Sequence, residues 1–186
     1  MAEPTLTDNA IAAHYLDEAQ RGLRGHKRLA EGAIAQLSLE ELFRVPDGES
    51  NSVAIIMRHI NGNQRSRFRD FLTTDGEKPD RNRDSEFETP AASRSELLDS
   101  WERSWQLMFE TLVALSPDDL LKVVTVRGEP LTVLQAIQRQ VAHYAYHIGQ
   151  IVYLAKHWKG SDWQTLSIAK GKSNSPEALE AEKRRP

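Results

Sequence analysis

The chain has 186 residues, which is enough for one domain with a continuous core and argues against two domains. Its composition, 39% hydrophobic and 27% charged, excludes a membrane protein and also a largely disordered one. With 24 basic and 27 acidic residues the net charge is -3, so no overall positive field would attract nucleic acid. The absence of cysteine excludes disulfides and thiolate metal ligands.

The apolar runs of the sequence are short. The longest, Val53 to Met57 and Ile151 to Ala155, fall far below the roughly 20 residues that a membrane-spanning helix needs. No basic stretch followed by an apolar one opens the sequence as a secretory leader would. We therefore expect a cytoplasmic protein that binds neither membrane nor nucleic acid.

Helical periodicity dominates the sequence, and almost no segment alternates as a half-buried strand would. The first predicted helix runs from about Asn9 to Leu37. Ser38 and Glu41 then form a capping-box pattern, which predicts a short extra helix that ends at Phe43.

The second predicted helix starts near Ser52 and runs through Phe68, stopping between Thr73 and Gly76. The polar, turn-rich segment 74–92 follows and reads as a long exposed connection. Loops of this length in compact domains are often functional.

Two further helices complete the pattern. The third is predicted over 93–115, and residues 123–126 look like a brief extended stretch. The fourth follows Pro130, a residue favoured at helix starts, and runs to about Trp158. We predict an all-α four-helix bundle over residues 1–172 and a flexible C-terminal tail over 173–186.

The fourth helix carries a histidine pair. His143 and His147 are four residues apart, which places their β-carbons about 5–6 Å apart on one helix face. Such a pair alone is more often polar packing than a metal site. His59 flanks an apolar face of the second helix, which should neighbour the fourth, and it supplies a third imidazole. The convergence of the three histidines predicts a divalent metal site.

Three imidazole ligands leave a coordination position open, as in catalytic zinc sites. That position could activate water, or take a thiolate, carbonyl or hydroxyl group of a substrate. We expect zinc or nickel, with iron or manganese as alternatives. Asn63 lies four residues after His59, and Gln150 lies three residues after His147. Either could orient a ligand or a bound water, but polar packing at the core boundary is the more common role of such residues.

Other conspicuous residues have simpler explanations. His14, His26 and His157 are interpreted as structural or exposed. Trp101 and Trp105 continue the apolar stripe of the third helix and are predicted to be core residues.

The segments AIIMRHINGN and HYAYHIGQ resemble the DinB/YfiT-like superfamily of metal-dependent helical bundles. SRFRDFLTTDGEKPDRNRDSEF, with WERSW and QTLSIAKGKS, is similar to a bacterial branch of that superfamily known as a domain of unknown function. The resemblance spans about Tyr15 to Ser173.

The resemblance implies a four-helix bundle with a long crossover loop between helices 2 and 3, and frequently a homodimer. It also implies metal ligands at His59, His143 and His147. Some relatives are transferases or isomerases that use a low-molecular-weight thiol. Two functions stay open: a metal-dependent enzyme that transfers water or such a thiol to a small electrophilic substrate, and a non-enzymatic metal-binding or stress-related protein.

Overall fold

The computed structural model describes residues 8–176 and residue 180. In chain order it contains α1 (Asp8–Ile34), α2 (Leu39–Phe43), α3 (Val53–Phe68), α4 (Arg94–Val113), β1 (Val123–Val126), β2 (Glu129–Thr132) and α5 (Val133–Lys159). Short 3₁₀ helices lie at Asp84–Phe87, Pro117–Asp119 and Gly160–Asp162. The prediction of a mainly helical chain is confirmed. Most of the predicted tail, 173–186, lies outside the described residues.

Four long helices pack around one core. α1 lies along α5 and α3 lies along α4, while α3 also contacts α5 and α1 contacts α4. This arrangement is compatible with a helical bundle. Trp101, Trp105 and Tyr144 are fully buried in its centre, which confirms the core prediction for the two tryptophans. Among the described residues, no helix combines the length and the apolar character needed to cross a bilayer.

Side-chain caps define where the helices begin. Ser38 and Glu41 form the predicted capping box at the start of α2. The hydroxyl of Ser52 accepts the backbone N–H of Ile55 at 3.2 Å and starts α3. Because each cap satisfies a backbone N–H that lacks a helical partner, it fixes the first turn of its helix. The helix carrying His59 therefore starts at a position set by the sequence.

The prediction that the second helix reaches Thr73 is wrong, because α3 ends at Phe68. Asp70 adopts a left-handed backbone with φ 50°, and its carbonyl accepts the N–H groups of Thr73 and Thr74 in a turn. Phe71 stays buried beside Phe68, with ring centroids 5.5 Å apart. The apolar spacing of these two rings suits a turn as well as a helix, which explains the error.

The fourth helix was predicted to follow Pro130 directly, but two further strand residues separate them. Pro130 lies in β2, opposite Thr125 of β1, and the extended stretch at 123–126 is one strand of a hairpin. Arg127 and Gly128 form its turn with φ 60° and 77°, the left-handed pair that matches hairpin twist. Helix α5 begins after Thr132, whose side chain accepts the N–H of Gln135.

Asp75 attaches this hairpin to the segment that follows α3. Its carboxylate accepts the backbone N–H groups of Glu77 at 2.6 Å, Gly128 at 2.7 Å and Arg127 at 2.9 Å. Those hydrogen bonds, led by the one from Glu77, hold the pKa of Asp75 well below its usual range. The ionised carboxylate is therefore the form that stabilises this junction.

Asp75→Asn should lower the free energy of unfolding by about 1 kcal/mol at pH 7, because an amide cannot accept all three bonds. The carboxylate's contribution is present above its unfolded pKa of about 3.9 and is lost as the pH falls below that value. Urea unfolding at several pH values should therefore show the wild type approaching the variant in acid. Asp17→Asn, an exposed change of the same kind on α1, is the control and should leave the free energy of unfolding at pH 7 close to that of the wild type. A constant gap between wild type and Asp75→Asn at every pH would contradict the assignment.

Candidate metal centre

Three histidine side chains converge where α3 meets α5. His59 lies within α3, and His143 and His147 lie one turn apart within α5. The Nε2 atom of His143 is 3.3 Å from that of His59 and 3.2 Å from that of His147. The three ligand nitrogens all lie within 4.8 Å of one another, so the group could hold a metal ion. The predicted convergence of the three rings is confirmed.

Hydrogen bonds fix which ring nitrogens of His59 and His147 carry the proton. His59 Nδ1 donates to Glu86 Oε2 at 2.9 Å, and His147 Nδ1 donates to Gln150 Oε1 at 2.8 Å. Since carboxylate and amide oxygens accept only, each Nδ1 is protonated. In the neutral form of either ring the Nε2 atom keeps a free lone pair, and both Nε2 atoms face His143 Nε2, which can donate one proton at most. With both rings neutral, one of these two lone pairs therefore receives no hydrogen from His143, and a bound cation would stabilise it.

Burial keeps two of the rings uncharged. Burial, together with the nearby His147 and His59, lowers the pKa of His143 to about 3. Burial also lowers the pKa of His147 to about 4, although the hydrogen bond with Gln150 acts in the opposite direction. Both rings are therefore neutral at pH 7, and neutral imidazole is the form that binds a metal.

The two separations from His143 Nε2 suit neighbouring ligands of a tetrahedral ion. With metal–nitrogen bonds of about 2.0–2.1 Å, neighbouring tetrahedral ligands lie about 3.3–3.4 Å apart. The separations of 3.3 and 3.2 Å agree with that value. Three protein ligands leave a fourth position open, as in catalytic sites. Imidazole suits zinc, nickel and iron alike, so the donor set does not choose among them.

Glu86 connects the histidines to a buried ion-pair network. Its carboxylate accepts from Arg81 Nε at 2.8 Å and from Arg81 Nη2 at 2.9 Å. Glu77 pairs with Arg81 and, at 2.9 Å, with Arg67 Nη2. Burial acts to raise the pKa of Glu86, but the hydrogen bonds from His59 and Arg81 outweigh it and keep that pKa below its usual value. Glu86 is therefore an anion that orients His59 and strengthens it as a ligand.

Sequence reasoning missed Glu86 and Arg81. The segment 74–92 was predicted to be an exposed connection, but only 7% of the Glu86 side chain and 4% of the Arg81 side chain are accessible to solvent. That part of the prediction is wrong. The signal that could have identified these residues was the length of the segment, which is typical of functional loops.

Gly62 makes room for the Glu86 carboxylate. It lies on α3 one turn after His59, and the Glu86 side chain passes directly over it. A methyl group at this position would overlap Oε1, Cδ and Cγ of Glu86. The glycine is thus required for the close approach of Glu86 to His59 rather than for backbone freedom.

Gly62→Ala should weaken zinc binding by about 10–100-fold, the usual effect of losing a partner that orients a histidine ligand. The free energy of unfolding should fall by about 2–4 kcal/mol, because Glu86 must move against its buried pair with Arg81, while alanine favours the helix by about 1 kcal/mol. Competition against a coloured chelator measures the affinity, and urea unfolding measures the stability. Gly22→Ala is the control: nothing lies within 4 Å of the added methyl on α1, so zinc affinity should stay constant. Equal zinc affinity in Gly62→Ala and the wild type would show that Glu86 does not support the ligand.

The two residues predicted to orient the ligands have different surroundings. Gln150 hydrogen bonds to His147, as described above. Asn63 instead accepts the hydroxyl of Tyr144 at 2.9 Å within the core. The Tyr144 ring lies 5.4 Å from that of His143, so Asn63 acts one layer beneath the histidines.

Aromatic and cationic side chains lie beside the histidines near the surface. The Tyr146 ring is 4.1 Å from the His147 ring, and 54% of Tyr146 is accessible. On the other side, the Phe87 ring lies 4.8 Å from that of His59. The guanidinium of Arg83 stacks 4.9 Å from the Phe87 ring. A substrate that reached the histidines would meet these three side chains.

Comparison with known proteins identifies a family to which the chain is similar. No curated protein and no solved structure matches the chain. A family match covers residues 10–172, a span that contains the three histidines, Glu86 and Arg81. The match supports neither a particular activity nor a particular metal, because the family is described only as a protein of unknown function. The chain belongs to this family, Protein of unknown function (DUF1572).

Proposed function

We propose that this protein is a metal-dependent enzyme whose divalent ion, zinc or nickel, is held by His59, His143 and His147. Its reaction would transfer water or a low-molecular-weight thiol to a small electrophilic substrate. The observation that carries the proposal is the convergence of three imidazole rings, with His143 Nε2 lying 3.3 Å from that of His59 and 3.2 Å from that of His147, separations that suit neighbouring ligands of a tetrahedral ion. The histidines contribute three ligands, and this number favours a working site over a purely structural one.

A divalent ion at this centre supplies Lewis acidity, which activates water or a thiol as a nucleophile near neutral pH. The chain's own residues prepare the centre. Glu86 and Gln150 hold His59 and His147 in the tautomers that point Nε2 inward. Exposed Tyr146 and Arg83 border the centre, where a phenol and a cation can contact a polar substrate.

The resemblance to the DinB/YfiT-like superfamily extends the proposal. It supports a four-helix bundle with a long crossover between α3 and α4 and a homodimeric assembly. A cytoplasmic setting is part of the same proposal. Size-exclusion chromatography with light scattering would test the homodimer directly.

Metal content tests the site. Protein purified without an affinity tag should contain close to one divalent ion per chain by elemental mass spectrometry, and His59→Ala should contain little. The His59 ring is one of three ligands, and losing it leaves only the pair on α5. Equal metal in both proteins would refute the site.

Activity separates the enzyme from a metal-binding protein without turnover. A panel of electrophilic and hydrolysable substrates, offered with and without small thiols, should reveal turnover that a chelator removes and added metal restores. Metal that raises the unfolding temperature without any turnover across the panel would favour the non-enzymatic function.

A further inference from the structure

A second concave site lies beside the metal centre. A cavity of about 400 Å³ is enclosed by one face of α3, the segment between α3 and α4, and the first turns of α4. His59, His143 and His147 are not among the described residues that line it. Its volume falls within the roughly 300–1,000 Å³ of small-molecule sites. The cavity shares Arg81 and Glu86 with the support of His59, but the proposed metal chemistry does not use the space inside it.

Cations dominate the wall of the cavity. Five line it: Arg58, Arg65, Arg69, Lys78 and Arg81. Arg69 pairs with Asp80, and Arg81 pairs with Glu86. The third acidic side chain in the wall, Glu96, accepts the N–H and hydroxyl of Ser93 at the start of α4.

The other three cations lie outside these ion pairs. Among the described residues, no carboxylate forms an ion pair with Arg58, Arg65 or Lys78. Lys78 is only 6% exposed, and its ammonium donates to the neutral carbonyl of Asp75. The carboxylates of Asp70 and Asp75 act on this ammonium only from beyond ion-pair distance, and burial lowers its pKa, so a closer anion would stabilise the charged form. The cavity therefore has the electrostatics of an anion site.

Neutral polar groups complete the cavity. Asn61 and Ser100 line it, and Asn61 Nδ2 donates to Ser100 Oγ at 3.2 Å. Ser104 in turn donates to Asn61 Oδ1 at 2.8 Å, which fixes the orientation of the amide. Such groups can contact the uncharged part of a ligand whose anionic end meets the cations.

We propose that this cavity binds a small phosphorylated molecule. A phosphomonoester carries about 1.5–2 negative charges and three acceptor oxygens at pH 7, which suits the three cations outside the ion pairs. Arginine recognises phosphate through paired N–H donors, and lysine adds a point charge. Asn61 and Ser100 line the same cavity and could contact a short polar moiety attached to the phosphate. The inference does not depend on the function proposed for the histidines.

Isothermal titration of the full chain with glycerol phosphate, inorganic phosphate and glycerol tests the proposal. Glycerol phosphate should bind saturably and glycerol should not. Arg58→Gln and Arg65→Gln should each weaken binding by about tenfold, because each removes a charged hydrogen-bond donor. Arg103→Gln, an exposed change elsewhere on α4, is the matched control and should bind as the wild type does. Circular dichroism and metal content verify that the variants remain folded.

Comparing the two phosphate ligands also shows whether the site recognises a phosphate ester or the phosphate group alone. Tighter binding of glycerol phosphate than of inorganic phosphate supports an ester ligand, whereas equal affinities support a site for the phosphate group alone. Two results would overturn the proposal: no saturable binding of either anion at millimolar concentration, or binding that Arg58→Gln and Arg65→Gln weaken no more than Arg103→Gln does.

Discussion

Replacing His147 with alanine should lower zinc affinity by more than about 100-fold and remove any chelator-sensitive turnover. Losing a group that merely orients a ligand costs about 10–100-fold, and losing the ligand itself costs more. His147 is 7% exposed, and its Nε2 lies 3.2 Å from that of His143. Competition titrations against a coloured chelator measure the affinity. The same titrations with cobalt show, from the absorption spectrum, whether the coordination geometry has changed.

His157→Ala is the control for this prediction. It makes the same change on the same helix, but His157 is exposed near the end of α5 and lies outside the histidine group. Its zinc affinity should equal that of the wild type. If both variants bound zinc as tightly as the wild type, the ion would lie elsewhere and the metal centre would have to be abandoned.

Arg81→Ala should lower the free energy of unfolding by about 3–5 kcal/mol, the range observed when one partner of a buried ion pair is removed. The change leaves the Glu86 carboxylate, 7% exposed, without its guanidinium. Glu86 should then have a higher pKa and hold His59 less firmly, so zinc affinity should fall about tenfold. Urea unfolding of metal-free and metal-loaded protein separates the two effects.

Arg69→Ala provides the comparison, because it removes the same side chain from an exposed pair. Arg69 and Asp80 have 42% and 56% of their side chains accessible, so the cost should stay within about 1 kcal/mol. Similar losses for the two variants would mean that the Arg81 network is no more important than a surface salt bridge.

The histidine triad was predictable because helical spacing determines which side chains lie on the same face of a helix. Two residues four apart share a helix face whatever the surrounding fold, so the pairing of His143 and His147 needs no tertiary information. His59 required one further assumption, that the second and fourth predicted helices are neighbours. The contact between α3 and α5 confirms it.

Glu86 and Arg81 were not predictable, because they reach the centre through tertiary structure alone. Glu86 is 27 residues from His59 along the chain, and no periodicity relates them. Local composition also misleads, since a polar, turn-rich segment resembles a solvated loop until its charges are found paired and buried. Gly62 carries no sequence signal either, because its role depends on a side chain from another segment.

Two helix boundaries were mispredicted for local reasons. Proline is favoured both at the first helical position and at the edge of a sheet, and only the pairing of Pro130 with Thr125 decides between them. Phe71 belongs to the core in either a helix or a turn, so its hydrophobicity could not show that α3 had ended at Phe68. The left-handed backbone of Asp70 follows the end of α3, and the pairing of β1 with β2 delays the start of α5.

The three histidine ligands and the carboxylate that orients His59 lie on elements of very different length. His59, His143 and His147 lie inside long capped helices, where end fraying does not reach, whereas Glu86 lies on a single 3₁₀ turn at Asp84–Phe87. Local opening has the lowest free energy in short, weakly supported elements. Detachment of that turn should therefore limit the rate at which a bound ion exchanges, while the long helices stay folded. The residence time of the bound ion would then depend on how often this turn detaches. The histidines would stay in place on their helices and could bind a new ion.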